Sequence, residues 1–262
     1  MRGTSQQSRV SYSEGDFLTL SGDSFFYRSW RVPAPAAVAI IVHDLGEDGG
    51  KYRSVAEYLA RQGFSAYVMD LRGHGRSCGE RGHADSFERL VRDLGLFVSL
   101  VSSKEGMMPY LLGQGFGALL ALGYAAKKRA AAGLVLSSPL LSLRGAEAYI
   151  TGFKASLINL LISKKKVTLH LGSKVEITVR LLREVARAQS NVSAYASKVS
   201  KPTLIIYDPE SDVIETGAVR KLYECLRAKE KRLIEVSGGY CILRDSKEVL
   251  ETIVDWIKEH ME

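Results

Sequence analysis

The most chemically pointed pattern in the chain is Gly113-Gln114-Gly115-Phe116-Gly117, which follows the short β-prone run Pro109 to Gly113 and precedes a helix-forming stretch, Ala118 to Lys128. A strand, a tight Gly-x-Xaa-x-Gly turn and a helix in that order form a nucleophile elbow, which holds its middle residue at the top of a sheet. Here the middle residue is Gly115, which has no side-chain atom to attack a carbonyl. The glycines also satisfy the loose Gly-x-Gly-x-x-Ala form of a dinucleotide-binding turn. That reading is weaker, because the turn follows the third strand–helix unit instead of opening the fold, and no Asp or Glu ends the next strand, Leu134 to Ser137. Cys78, Cys225 and Cys241 are odd in number and have no paired spacing, so they indicate neither a disulfide framework nor a zinc site. Neither a metal nor a cofactor is expected. A thiolate at Cys241, with His43 as partner, would need a base or electropositive surroundings. No such residue adjoins it in the sequence, which favours an ordinary buried thiol.

The elements that must position these residues alternate as in a parallel α/β domain. Phe17–Leu20 and Phe25–Trp30, separated by Ser21-Gly22-Asp23, predict an opening antiparallel hairpin. Ala37 to His43 is a continuous Val/Ile-rich run, the pattern of a strand buried on both faces. A helix over Tyr52 to Arg61, a strand over Phe64 to Asp70 and a helix over Ser86 to Ser103 follow, the last with Asp85 as its predicted N-cap and Glu88 three residues on. The alternation then stops for about sixty residues and returns at Lys201. Within the interruption, Ala148 to Ile162 predicts a helix with an apolar stripe at Ile150, Phe153, Leu157 and Leu161, and Val175 to Ala188 a second, opened by a Ser173/Glu176 capping box. One core domain (1–139 and 200–262) carrying an inserted helical cap (140–199) accounts for this order.

Five segments resemble the monoacylglycerol lipases and bacterial lysophospholipases, α/β-hydrolases of the serine aminopeptidase S33 type. His43-Asp44-Leu45-Gly46-Glu47 resembles the family's His-Gly-x-Gly-Glu oxyanion loop. Tyr52 to Tyr67 resembles its Tyr-x-x-x-Ala-x-x-Leu-x-x-x-Gly-Phe helix and turn. Asp70-Leu71-Arg72-Gly73-His74-Gly75-Arg76-Ser77 matches its long Asp-x-Arg-Gly-His-Gly-Arg-Ser loop, extended by Arg81-Gly82-His83. Gly113 to Ala118 lies where the family has Gly-His-Ser-Met-Gly-Gly, and Gly133 to Pro139 resembles its Gly-Leu-Val-Leu-Ser-Ser-Pro strand. The resemblance covers nearly the whole chain. It implies an α/β-hydrolase fold: a mostly parallel sheet, an N-terminal antiparallel hairpin and an inserted cap.

The resemblance also implies where the catalytic groups would stand. The serine position maps onto Gly115, the acid onto Asp212 and the histidine onto Cys241. Backbone N–H groups of Leu45 and Phe116 map onto the oxyanion hole, within the loop of His43, Asp44 and Gly46. Asp44 stands where the family has glycine, and a carboxylate beside a developing oxyanion is repulsive. Glycine cannot attack, and a cysteine cannot replace an imidazole held in one tautomer by an acid. Loss of nucleophile or base alone costs on the order of a million-fold in turnover in serine hydrolases. Negligible ester hydrolysis is expected, leaving a pseudo-hydrolase with a capped apolar pocket for a lipid-like or other small hydrophobic ligand, lined in part by Ile150, Phe153, Leu157 and Leu161. The competing expectation is an active esterase or lysophospholipase with an unorthodox site built on Cys241 or a cap histidine such as His170.

The bulk numbers narrow the partners. With 46% apolar and 25% charged residues the chain has the balance of a folded globular protein. No apolar run approaches the roughly 20 residues of a membrane span, and residues 1–16 lack the apolar core of a signal peptide, so a cytoplasmic location is expected. The net charge of +7 is concentrated: residues 144–201 hold eleven Lys or Arg against three Glu, a net of +8 that leaves the remainder at −1. Such an insertion is either a solvated face or a peripheral contact with anionic membrane. No nucleic-acid recognition motif accompanies it.

Overall fold

A computed structural model describes residues 10–128, 130–142 and 164–261. Eight strands form one sheet in the order β1-β2-β4-β3-β5-β6-β9-β10: β1 Ser11–Leu18, β2 Ser24–Arg31, β3 Ala37–Val42, β4 Phe64–Met69, β5 Tyr110–Gln114, β6 Leu134–Ser137, β9 Thr203–Tyr207 and β10 Lys231–Glu235. The hairpin β1–β2 and the β2–β4 pairing are antiparallel, and every other pairing is parallel. The hairpin is longer at its outer ends than the apolar runs alone predict. Its extra residues, such as Ser11, Ser13 and Glu14, are polar and exposed, so backbone pairing rather than burial extends it.

Alternation of side chains divides the core in two. Val38, Ile40, Val42, Leu111, Leu134 and Leu136 face the helices Phe87–Glu105 and Phe116–Lys128. Ala39, Ile41, Val68, Leu112, Val135 and Leu204 face Arg53–Arg61 and Lys247–Glu259. β3, β4 and β5 are buried along their whole length. Helices covering both faces of a parallel sheet require this, and it explains why these strands read as unbroken apolar runs. The helix after β4 begins one residue later than the sequence suggests: Ser86, not Asp85, caps it, accepting a hydrogen bond from the Arg89 N–H at 3.2 Å.

The insertion departs further from expectation. Its predicted first helix, with Ile150, Phe153, Leu157 and Leu161, lies outside the described residues. The predicted second helix does not start at Val175. Instead β7 (Lys166–Leu171) and β8 (Ser173–Thr178) form a separate antiparallel hairpin, and the helix runs from Val179 to Ser190. Ser173 and Glu176 lie in β8, so they form no capping box, and Thr178 caps the helix by accepting from the Leu181 N–H. Leu171-Gly172-Ser173 makes the turn with Gly172 at φ +64°, a conformation that favours glycine. Val167, Leu171, Val175 and Ile177 are buried by the hairpin, a two-residue period that the helical reading overlooked.

Candidate active site

The carboxyl ends of β3, β5, β9 and the segment after β10 converge, the usual place for a site in an open α/β sheet. After β5 the chain turns at Gly115, at φ +56°, and its N–H donates to the Ser137 carbonyl at 2.9 Å. The flanking glycines are required by close approach. A Cβ on Gly113 would lie 2.4 Å from Ala118 N, and one on Gly117 only 2.1 Å from the Val42 carbonyl oxygen. The turn therefore has the tight geometry of an elbow, while the space above its middle residue is filled. A Cβ on Gly115 would stand 2.2 Å from the Tyr240 hydroxyl and 2.3 Å from Asp44 Oδ1.

Asp44 follows β3 and is buried. A single oxygen of its carboxyl, Oδ1, accepts hydrogen bonds from the backbone N–H of Leu45 and of Phe116, both at 2.7 Å. These are the two groups that the family resemblance assigns to an oxyanion hole. The protein's own carboxyl sits on them. Burial raises the Asp44 pKa to about 7, although the two N–H donors oppose the shift. The Tyr240 hydroxyl is buried beside the Asp44 carboxyl, over the same turn. Its own pKa is raised well above the usual phenol value, first by burial and then by the Asp44 charge.

Neighbouring groups hold this arrangement. His43 is fully buried; its Nε2 accepts from the Leu71 N–H at 2.9 Å, which leaves Nδ1 to carry the proton and donate to the Asp44 carbonyl at 2.7 Å. Burial depresses its pKa, and with both nitrogens engaged it is a brace for the loop rather than a base. Gln114 donates to the Tyr240 carbonyl at 2.7 Å and accepts from the Ser137 hydroxyl, tying the elbow to the segment after β10. Glu47 accepts from the Tyr52 hydroxyl at 2.6 Å and pairs with Arg244 at 2.7 Å, while the Asp44 N–H donates to the same Tyr52 hydroxyl. Gly46, at φ +74°, leaves room for the insertion: a Cβ there would meet Val175 of β8 at 2.4 Å.

Cys241 is half-buried at the start of the short helix Ile242–Asp245, and the β7–β8 turn passes over it, since a Cβ on Gly172 would be 3.4 Å from its sulfur. Burial raises its thiol pKa despite nearby Arg244, the opposite of an activated nucleophile. His170 is exposed on β7. Asp212 lies in an exposed turn after β9. The carboxylate that links this turn to the segment after β10 is Asp208, which accepts from the N–H groups of Gly238 and Gly239 at 2.8 and 2.7 Å. Those two bonds hold its pKa below the usual carboxylate range. Asp208 and Tyr240 carry no distinguishing pattern in the sequence, and only their neighbours give them roles.

Comparison with known proteins agrees with this architecture. The model of the serine aminopeptidase S33 family matches residues 33–176, more than half of the chain. The chain belongs to that family. It is 25% identical to rat monoglyceride lipase over 93% of its own length and 90% of the lipase, and 23% identical to the monoacylglycerol lipase of Mycolicibacterium smegmatis over 95% and 98%. It also matches an abhydrolase domain-containing protein of Dictyostelium discoideum at 25% identity, but spans only 29% of that protein. Among solved structures, Paleococcus ferrophilus monoacylglycerol lipase superposes with a TM-score of 0.73 at 24% identity, covering 96% of this chain and 99% of the other. A soluble variant of Saccharomyces cerevisiae monoglyceride lipase superposes at 0.75 and 17% identity, covering 100% and 98%. The fold is that of an α/β-hydrolase.

Proposed function

We propose that this family member does not hydrolyse esters, and that its scaffold binds a lipid-like or other small hydrophobic ligand. The observation that carries the reading is Asp44 Oδ1 bound by the N–H groups of Leu45 and Phe116. Acyl transfer needs such donors aimed at the oxygen that becomes charged in the transition state. Here they are saturated by an oxygen that belongs to the chain itself, directly above a turn with no nucleophilic side chain. Cys241 offers no substitute, because burial favours its neutral thiol. The similarity to monoglyceride lipases supports an acyl-chain-like ligand as the first class to try.

The test pairs binding with turnover. A non-hydrolysable alkylglycerol ether should bind, as seen by intrinsic tryptophan fluorescence or native mass spectrometry, while p-nitrophenyl butyrate is released no faster than in a blank. Release well above blank, abolished by an active-site-directed lipase inhibitor, would overturn the proposal of inactivity. Failure of alkylglycerols and of other apolar ligands to bind would overturn the proposal of a binding role.

A further inference from the structure

Far from the elbow in sequence, the β1–β2 turn presents bare leucines. Thr19 N–H donates to the Asp23 carbonyl and Gly22 N–H to the Thr19 carbonyl, both at 2.9 Å, and the Asp23 N–H donates to Thr19 Oγ1 at 3.1 Å. This bonded turn holds Leu20 fully in solvent, with Leu18 at 75% exposure. Beside it opens a cleft of about 550 Å³, lined by Thr19, Asp23, Arg92, Leu96, Tyr124 and Lys128 among others. Leu96, on the helix Phe87–Glu105, is also half exposed.

The charges of the cleft are unevenly partnered. Asp93 and Asp23 are both engaged by Arg72, and Asp23 also by Arg89. Arg92 and Lys128 are exposed and form no ion pair or hydrogen bond with another described residue. Among the lining residues, three cations (Arg89, Arg92, Lys128) stand against two carboxylates (Asp23, Asp93), a net of +1, and Arg89 is also held by Asp85, so the uncommitted charge is that of Arg92 and Lys128. Outward leucines beside free cations and a cavity of small-molecule size suit an interface that is apolar inside and anionic at its surface.

We infer that this face docks on an anionic lipid surface, with Leu18 and Leu20 entering the acyl region and a lipid head group taken between Arg92 and Lys128. None of Leu18, Leu20, Arg92 and Lys128 belongs to the basic insertion, and the inference is independent of what occupies the elbow.

Co-sedimentation of the full chain with phosphatidylcholine vesicles, with and without phosphatidylserine, tests the inference. Binding to the anionic vesicles is expected. Leu18→Ser with Leu20→Ser should weaken it, and Arg92→Ala with Lys128→Ala should weaken it roughly 30-fold, the effect of two cations close to an anionic surface. All four positions are exposed, so near-ultraviolet circular dichroism should be unchanged. Absence of binding overturns the inference, as does binding that neither pair alters, including binding lost only when Lys164, Lys165 and Lys166 are neutralised. Octyl phosphate gives the last arm: saturable binding that requires Arg92 and Lys128, without vesicle binding, assigns the cleft to a free anion and overturns membrane docking.

Discussion

Replacing Gly115 by serine restores the atom that a hydrolase elbow presents, yet in this chain it should destabilise the fold. At φ +56° an L-residue pays about 1–2 kcal/mol of backbone strain. Its Cβ would also stand 2.2 Å from the Tyr240 hydroxyl and 2.3 Å from Asp44 Oδ1, and displacing two buried side chains costs a further 1–3 kcal/mol or so, as overpacked cores do. The sum, about 2–5 kcal/mol, corresponds to a fall in Tm on the order of 10 °C for a chain of this size. Gly115→Ala should behave alike, since the overlap begins at Cβ. In an Asp44→Gly/Tyr240→Phe background the strain remains but the overlap goes, so the cost of Gly115→Ser should shrink by roughly 1–3 kcal/mol. Calorimetry or guanidinium denaturation of the four variants reads this difference directly. Native-like stability of Gly115→Ser, or the same penalty in both backgrounds, would refute the idea that Asp44 and Tyr240 occupy the nucleophile's place.

Three further outcomes follow from the same geometry. The Asp44 pKa is raised from 3.8 to about 7, so the folded state holds a proton that the unfolded state releases; this contribution is complete below pH 4 and is lost as pH rises to 7 and above. Asp44→Asn, which keeps an acceptor but cannot ionise, should therefore gain roughly 2–3 kcal/mol relative to the native chain between pH 5 and pH 8, and a pH-independent difference in denaturation midpoints would contradict the buried acid. Gly115→Ser with Cys241→His should remain inactive toward p-nitrophenyl esters, because the oxyanion donors stay occupied, and activity should emerge only when Asp44→Gly and Tyr240→Phe are added; each freed donor is worth about 10²–10³ in turnover. Cys241 should react with a disulfide reagent at pH 7.5 more slowly than a free thiol, judged against Cys241→Ser, and rapid labelling with an apparent pKa below that of free cysteine would count for the nucleophile reading instead.

Much of this was legible from local pattern. The unbroken apolar runs Ala37–Val42 and Phe64–Met69 announced strands covered on both faces, because parallel strands between two helical layers have no solvent side. The glycines around Gly115 announced the tight turn, and the absence of a nucleophilic side chain there needed no coordinates. What misled was the insertion, where Ser173 and Glu176 have the spacing of a helix cap but lie on a strand. A capping box is a short, local signal, and the pairing of β8 with β7 supplies backbone hydrogen bonds that it cannot compete with.

The identity of residue 44 was visible in the sequence as an acid where the family it resembles has glycine, but its effect was not. That one oxygen would accept from both Leu45 and Phe116 depends on a loop after β3 meeting a helix that starts more than seventy residues later. The segment after β10 must then deliver Tyr240 to the same few cubic ångströms, held there by Gln114 and Asp208. Residue types and spacing determined the scaffold and what is missing from it. Which atoms pack over the turn at Gly115 was decided by the sheet, because only the parallel register of β3, β5, β9 and β10 brings those distant segments within hydrogen-bonding reach.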